Sequence, residues 1–462
     1  MSPIKTSKVV LDRTLEDLYS LDDHDVSKIA LVYAVPTAEV QIKASMPLST
    51  KFSYQAPLSG SEESAILARL HLQIVPQLYG FIAGSMPLYM FDMDPEHGQE
   101  GSEDIANARN DTIRVFEALN EDKRPKVAFV SAPENVKLEN GESAAIISPM
   151  DCLTHLPLLI DPERHYTLQS KRTLALSNVS TPPATVLDSR TQQGLITGNE
   201  EQLNAEVDRM IQVIRTREPP FVVKMQQSLA SQGTFVVATA SDKSSTLTLI
   251  STELRRVLGQ QNPSNHHLHS SSLVVQDMVP GSAVALFLFV TASGETIFLG
   301  CCEQLLDANR QWIGGCIAYA QHDELARTYA DIAKQVGDFA FQNGYFGPLG
   351  VDVMTAPDGR HLAIDPNPRV TGSAPLCLLR THFFEDRRLR YAALFFPVFL
   401  GCGRDEFEER FSGEVGSGCL VIVGWSRDEM RGFSAAAFVL AAESREELQV
   451  FRKEVGKFEE EE

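Results

Sequence analysis

Short apolar runs alternate with amphipathic stretches over the first third of the chain. "KIALVYAV", "PLYMFDM" and "PKVAFVSAP" read as strands, with "SAILARLHLQIVPQLYGFIAG" and "SEDIANARNDTIRVFEALNED" as helical patterns between them. Strand–helix alternation predicts a parallel sheet with covering helices. The pattern then changes. "LPLLIDPERHYTLQSKRTLALSNVSTPPATVLD" predicts a strand and then a helix that ends before Pro182 and Pro183. A mixed α+β block from about 185 to 260 holds the helix "EEQLNAEVDRMIQVIRTR" and the strand "PFVVK". A second block spans about 270–375, where one long helix, "HDELARTYADIAKQVGDFAFQNG", leads into a hairpin. The tail carries "GCLVIVGWS" and "FSAAAFVLAAESREELQVFRKEVGKF", a strand then a helix with a Ser444-x-x-Glu447 capping box, and is expected to be an appended cover ending in an acidic run. No repeat at a solenoid period is present.

The hairpin is the most informative stretch. "GVDVMTAPDGRHLAIDPNPRVTGS", 350–373, reads as two strands around Asp358-Gly359, a pair that favours a two-residue type I′ turn. With that turn Pro357 faces Arg360, and counting back places Asp352 opposite Asp365. Facing carboxylates about 5 Å apart repel by about 3 kcal/mol at an effective dielectric near 20, so a positive charge is expected between them. Period-2 geometry brings Asn367 onto the same face and turns Val351, Val353, Leu362 and Ile364 to the other. Two carboxylates and an amide make an oxygen-only site suited to Mg²⁺ shared with phosphates. The plainer reading is an edge hairpin with its acids in water, and a three-residue loop would slip the register. Pro366 and Pro368 argue against an ordinary ladder, because neither can donate a hydrogen bond.

Composition narrows the classes. The 462 residues allow two to four subdomains, and a net charge of −20 makes nucleic acid an unlikely principal partner. No apolar run reaches transmembrane length, and "MSPIKTSKVVLDRTLEDLYS" lacks a signal-peptide core, so no membrane and a cytoplasmic setting are expected. Seven cysteines without framework spacing fit reduced thiols. "NHHLH", 265–269, sits among polar residues and reads as an exposed loop. "RTHFFEDRRLRY" reads as a helix face packed on a cleft.

Two further stretches bear on chemistry. "PFVVKMQQSLASQGTFVV" is a strand ending in Lys224, a small-residue loop and a second strand; the lysine and loop N–H groups could hold phosphates, or the stretch is an ordinary hairpin. "SSLVVQDMVPGSAVALFLF" places Gln276, Asp277, Met278 and Val279 before a Pro-Gly turn. Their backbone groups could meet an adenine edge, and an ordinary hairpin explains the turn as well.

The order of these elements resembles the ATP-grasp superfamily: a helix with one lysine, "VVK" with a small-residue loop, an apolar strand into a hinge, and a "GVD…DG…Asp-x-Asn-Pro-Arg" ending. The resemblance covers about 160–375. It implies an α/β and α+β chain with four parts: an N-terminal α/β parallel-sheet domain (1–160), a first lobe (161–265), a second lobe with the metal site (266–380) and a C-terminal extension (381–462). It implies that Lys171 and Lys224 contact ATP phosphates under a loop at 228–234 that includes Ser228, Ser231, Gln232 and Gly233, and that 276–279 line the adenine. Asp352, Asp365 and Asn367 would hold Mg²⁺, and Arg369 would neutralise the transferred phosphoryl group. The superfamily more often has glutamate at the position of Asp365, and a glycine-richer loop than one with Gly233 alone.

The implied reaction activates a small-molecule carboxylate as an acylphosphate and joins it to an amine, with ATP and Mg²⁺ as cofactors. Phosphoryl transfer asks for positioning and charge neutralisation rather than a protein nucleophile. Glu303, in "CCEQLLDANRQWIGG", could orient the amine or be a surface acid. "RVTGSAPL", 369–376, could offer the N–H groups of Thr371, Gly372 and Ser373 to an anion or be a helix cap. Small-molecule substrates, no nucleic acid and a homodimer complete the expectation. The alternative from another class is a nucleotide-binding regulatory or scaffold protein that keeps the clamp without turnover, and a third is phosphorylation without ligation.

Overall fold

The computed structural model describes residues 8–22, 25–38, 40, 42, 48–55, 62–92, 103–190, 199–227, 233–307, 311–429 and 431–458. The N-terminal strands are β1 (Ile29–Tyr33), β2 (Pro87–Phe91), β3 (Lys126–Val130) and β4 (Ser143–Ile146). They form a parallel sheet in the order β3-β2-β1-β4. All five residues of the central β1 are buried, the signature of a parallel strand covered on both faces. Helices Glu62–Gly80 and Glu103–Glu117 precede β2 and β3, so the strand–helix alternation of the sequence is the architecture of this region.

A second, antiparallel sheet contains β5 (Ala184–Leu187), β6 (Phe221–Met225), β7 (Thr234–Val237) and β8 (Leu273–Asp277), ordered β5-β8-β6-β7. Helix Glu200–Thr216 starts where the Asn199 side chain accepts the Gln202 N–H. Helix Ala240–Gly259 starts at a capping box between Thr239 and Asp242. Their apolar faces pack Met210, Ile211, Ile214, Ile250 and Leu254 against Phe221 and Val223 of β6.

The largest sheet has eight strands: β9 (Ala283–Val290), β10 (Thr296–Leu306), β11 (Trp312–Ala318), β12 (Gly347–Thr355), β13 (His361–Asn367), β14 (Tyr391–Leu400), β15 (Leu420–Asp428) and β16 (Phe433–Ala442). Their order is β13-β12-β9-β10-β11-β14-β16-β15, antiparallel throughout. Helix Ala330–Gln342 buries Ile332, Ala333, Val336 and Ala340 on Leu286, Leu288, Leu349 and Val351. Among the described residues no helix is long and apolar enough to cross a membrane.

Three features depart from the sequence expectation. β8 belongs to the four-stranded antiparallel sheet and pairs with β5 and β6, whereas the sequence reading grouped it with the strands that follow. The tail is no appended cover: "YAALFFPVFL" pairs with β11 on one side and β16 on the other, and the sheet runs on through it. The long helix before the hairpin is two segments, His322–Thr328 and Ala330–Gln342, meeting at Tyr329.

The hairpin turn also differs. Gly359 N–H donates to the Ala356 carbonyl and Ala356 N–H to the Arg360 carbonyl, both at 2.8 Å, and only Gly359 of the Asp-Gly pair has positive φ, +86°. The turn is therefore Ala356–Gly359 with Pro357 at its second position, where a fixed φ near −65° is favourable, rather than type I′ at Asp358-Gly359. The shift slips the register by one, so that Val353 pairs with Ala363. A β-bulge at Ile364 then slips it back, and Asp352 pairs with Asp365 after all.

Candidate active site

The bulge has a chemical use. Ile364 stands outside the ladder, and its carbonyl accepts a hydrogen bond from Lys224 Nζ at 2.5 Å. Lys224 is 5% exposed at the end of β6, reaching from the four-stranded antiparallel sheet to β13. Lys171, also 5% exposed, lies at the first position of helix Lys171–Ala175, and its Nζ is 3.1 Å from Asp365 Oδ1. That Oδ1 is buried and accepts no hydrogen bond, so the lysine meets it through charge alone. Two ammonium groups thus stand beside the Asp352–Asp365 pair, where the sequence called for positive charge.

Burial, reinforced by the neighbouring Asp365 charge, pushes the Asp352 carboxyl up to about 7 despite a hydrogen bond with Gln304 and the attraction of Lys224 and Lys171. Burial also brings the Lys224 ammonium down to about 8; Asp365 and Asp352 oppose that shift and Lys171 adds to it. Burial thus moves one acid, Asp352, and one base, Lys224, toward neutral pH from opposite sides.

Amide side chains hold this arrangement. Gln226 Oε1 accepts from Ser170 Oγ at 2.7 Å and from the Arg172 N–H at 2.6 Å, while its Nε2 donates to the Ser272 carbonyl at 2.9 Å. One fully buried side chain therefore ties the start of the Lys171 helix to the end of β6 and the start of β8. Gln227 Nε2 donates to Tyr166 O at 2.8 Å, and its carbonyl accepts from Gln55 N–H at 2.8 Å. Sequence reasoning passed over Gln226, Gln227 and Gln304. Alternation along "CCEQ" was the one available signal, because Gln304 shares the face of Cys302 and not that of Glu303.

The other sequence candidates are distributed unevenly. Asn367 pairs with Gly350 at the end of the ladder, two residues beyond Asp365. A methyl added at Gly350 would stand 2.2 Å from Thr371 Cγ2, so glycine here lets the 369–373 loop fold back onto the hairpin. Arg369 lies beside the Tyr79 hydroxyl and lines a cavity of about 20 Å³ with His165, Tyr19, Tyr33 and Tyr345, between the parallel sheet and the eight-stranded one. Gly233 closes the β6–β7 connection through its carbonyl, which accepts from Met225 N–H at 2.8 Å; Ser228, Ser231 and Gln232 lie outside the described residues. Gln276 is buried, with its amide within 3.3 Å of Thr181 Oγ1 and the Pro182 carbonyl. Asp277 pairs with Arg217, and its N–H goes to Pro183 O. Met278 and Val279 lie in the crossing between the two antiparallel sheets, and no hydrogen bond engages them among the described residues.

Glu303 requires a correction. It pairs across the sheet with Val284, which pairs with Val353, and Val353 belongs to the core beneath helix Ala330–Gln342. Glu303 therefore shares the face opposite to Asp352, where Arg445 holds it at 2.5 and 2.9 Å. Its side chain is 55% exposed, and it does not join the acids.

The donor set fits a hard divalent cation. Asp352 and Asp365 are paired on one face, and Asp365 Oδ1 is a buried oxygen with no hydrogen-bond donor. Asn367 extends the row. Among the described residues no cluster of three His, Cys, Asp or Glu side chains is present.

Two antiparallel lobes meet here over buried lysines and a paired-acid hairpin ending in Asp-Pro-Asn-Pro-Arg, and residues 201–367 match the sequence model of an ATP-grasp family. The family whose sequence model matches those residues is described as L-aspartate–L-methionine ligase, ATP grasp. A comparison with curated proteins finds no match. Solved structures that align with the chain include N5-carboxyaminoimidazole synthetase from Staphylococcus aureus complexed with ADP (12% identity, 84% of this chain and 95% of that one, TM-score 0.44). N5-carboxyaminoimidazole ribonucleotide synthetase from Thermus thermophilus aligns at 13% identity over 85% and 97%, with a TM-score of 0.47. Biotin carboxylase from Campylobacter jejuni, as its β,γ-ATP complex, aligns at 9% over 90% and 88%, with a TM-score of 0.43.

Proposed function

We propose that the chain is an ATP- and Mg²⁺-dependent ligase that activates a small-molecule carboxylate as an acylphosphate and joins it to an amine. The observation that carries this reading is the convergence of Lys171 and Lys224, both buried, on the Asp352–Asp365 pair, with the superfamily match running through Asn367. In this reading the lysines bind the phosphates, residues 228–234 close over them, and 276–279 receive the adenine. Asp352, Asp365 and Asn367 would hold Mg²⁺, which when bound neutralises charge on the transferred phosphoryl group and orients it. Arg369 supplies a further positive charge on the side of the parallel sheet.

The description of the matching family makes L-aspartate and L-methionine the first acid and amine to test. The reading also takes the protein to work in the cytoplasm as a homodimer, and light scattering checks the assembly. Phosphate release is measured over pairs of amino acids and small acids, with Asp365→Ala as control. Release that needs both an acid and an amine, and that is lost in the folded variant, is the expected result. Tight ATP binding without turnover on any pair would favour a nucleotide-binding clamp, and unchanged turnover in Asp365→Ala would remove the metal assignment.

A further inference from the structure

The segment carrying Asn367 and Arg369 has few ways to be held. Pro366 and Pro368 have no N–H, and the Arg369 N–H turns back onto the Asn367 carbonyl at 2.7 Å. The ladder ends at the Gly350–Asn367 pair, so strand pairing does not fix residues 368 and 369. The Pro368 carbonyl is fixed from elsewhere. His165, in helix Pro162–Leu168, places Nε2 2.7 Å from it. A carbonyl only accepts, so Nε2 carries the hydrogen. The ring is 2% exposed, packs against Tyr345 with centroids 5.5 Å apart, and lines the same cavity as Arg369. Its other nitrogen, Nδ1, is buried without a hydrogen-bond partner, so the ring's one strong polar attachment is the Pro368 carbonyl. Gln169 Nε2 lies farther from Nε2, at 3.3 Å.

We propose that His165 is a positioning residue: by holding the Pro368 carbonyl it fixes the turn that aims the Asn367 amide at the cation and the Arg369 guanidinium at the transferred group. This rests on the ligase reading for the roles of Asn367 and Arg369. A buried histidine that merely fills the core would be replaceable by any ring of similar size. A positioning histidine is replaceable only by a side chain that still donates to the carbonyl. Removing a group that orients a metal ligand lowers metal affinity or activity by about 10–100-fold.

The test compares His165→Phe, which keeps a ring against Tyr345 but removes the donor, with His165→Gln, which keeps an N–H donor. Mn²⁺ affinity is read by electron paramagnetic resonance in the presence of a non-hydrolysable ATP analogue, and turnover is followed in parallel. The Phe variant is expected to bind Mn²⁺ about tenfold more weakly or worse, with kcat reduced and KM for ATP little changed, and the Gln variant to recover to within about threefold of the parent. If the Phe variant does not fold, His165→Asn, polar but one methylene short of the carbonyl, must give the same loss. Parent-like Mn²⁺ binding by the Phe or Asn variant, or equal losses in Phe and Gln, overturns the positioning role. If Asp365→Ala still abolishes Mn²⁺ binding in that case, the ligase reading stands. Absence of Mn²⁺ binding by the parent protein overturns both.

Discussion

Replacing Asp352 by asparagine tests the electrostatics of the site directly. The folded protein holds the Asp352 proton up to about pH 7, whereas an unfolded chain releases it near pH 4. Between those values the folded state binds the extra proton, so this group's contribution to stability is full at low pH and is lost as pH rises through about 7. Three pH units at 1.36 kcal/mol each set the loss at no more than about 4 kcal/mol. Other groups tilt the whole-protein curve the other way. His165 and His382 are held neutral by burial, both down to about 4, and each adds stability as pH rises from about 4 to 6.5. The informative quantity is therefore the difference between the profiles of the parent and Asp352→Asn, from urea denaturation in EDTA at pH 5, 6, 7 and 8. The variant is expected to gain on the parent steadily up to pH 7 and then level off. Magnesium with ATP should narrow the gap by stabilising only the parent, by about 2.7 kcal/mol at one hundred times its dissociation constant. Parallel profiles from pH 5 to 7 would refute the claim that burial and the Asp365 charge raise the Asp352 carboxyl.

Lys171→Met removes a buried counter-charge from the half-buried Asp365 carboxylate, which keeps Lys224 nearby, so the loss should stay below the range for an uncompensated buried ion, at no more than about 3 kcal/mol, and adding Asp365→Asn should recover most of it. A double-mutant cycle from urea midpoints measures the coupling. Gly350→Ala drives a methyl into Thr371 and should reduce turnover and the melting temperature together, while Gly359→Ala, at the solvent-facing turn, should lower stability without changing KM for ATP. Glu303→Ala breaks an exposed pair with Arg445, so less than about 1 kcal/mol of stability and an unchanged kcat are expected. A large fall in kcat would return Glu303 to the site.

The sequence disclosed the parallel sheet because its central strand is an unbroken apolar run buried on both faces and short apolar strands alternate with helical patterns, signals that need no tertiary information. It disclosed the paired acids through two errors that cancel. The Asp-Gly turn was assigned one residue too late, because Pro357 fits the second position of the turn better than the first. The bulge that restores the pairing falls at Ile364, an apolar residue indistinguishable from its neighbours. Lys171 and Lys224 were singled out, but their partners are a strand away in another sheet, Asp365 for one and a backbone oxygen for the other, and no local pattern encodes such contacts. Glu303 was favoured over Gln304 because charge draws attention, whereas strand parity decides which of two adjacent residues faces the cleft. The tail's role in the eight-stranded sheet was hidden because "YAALFFPVFL" comes directly after a basic run that reads as helix.

The bulge at Ile364 has one more consequence. Because the kink pinned by Lys224 lies between the turn and the acids, the spacing of Asp352 and Asp365 is set from the body of the sheet rather than from the tip of the hairpin. The tip at Pro357–Gly359 is thereby released to vary in length and composition, and a short epitope or fluorophore tag grafted there would ride on the protein as a passenger, reporting on it without retuning its chemistry.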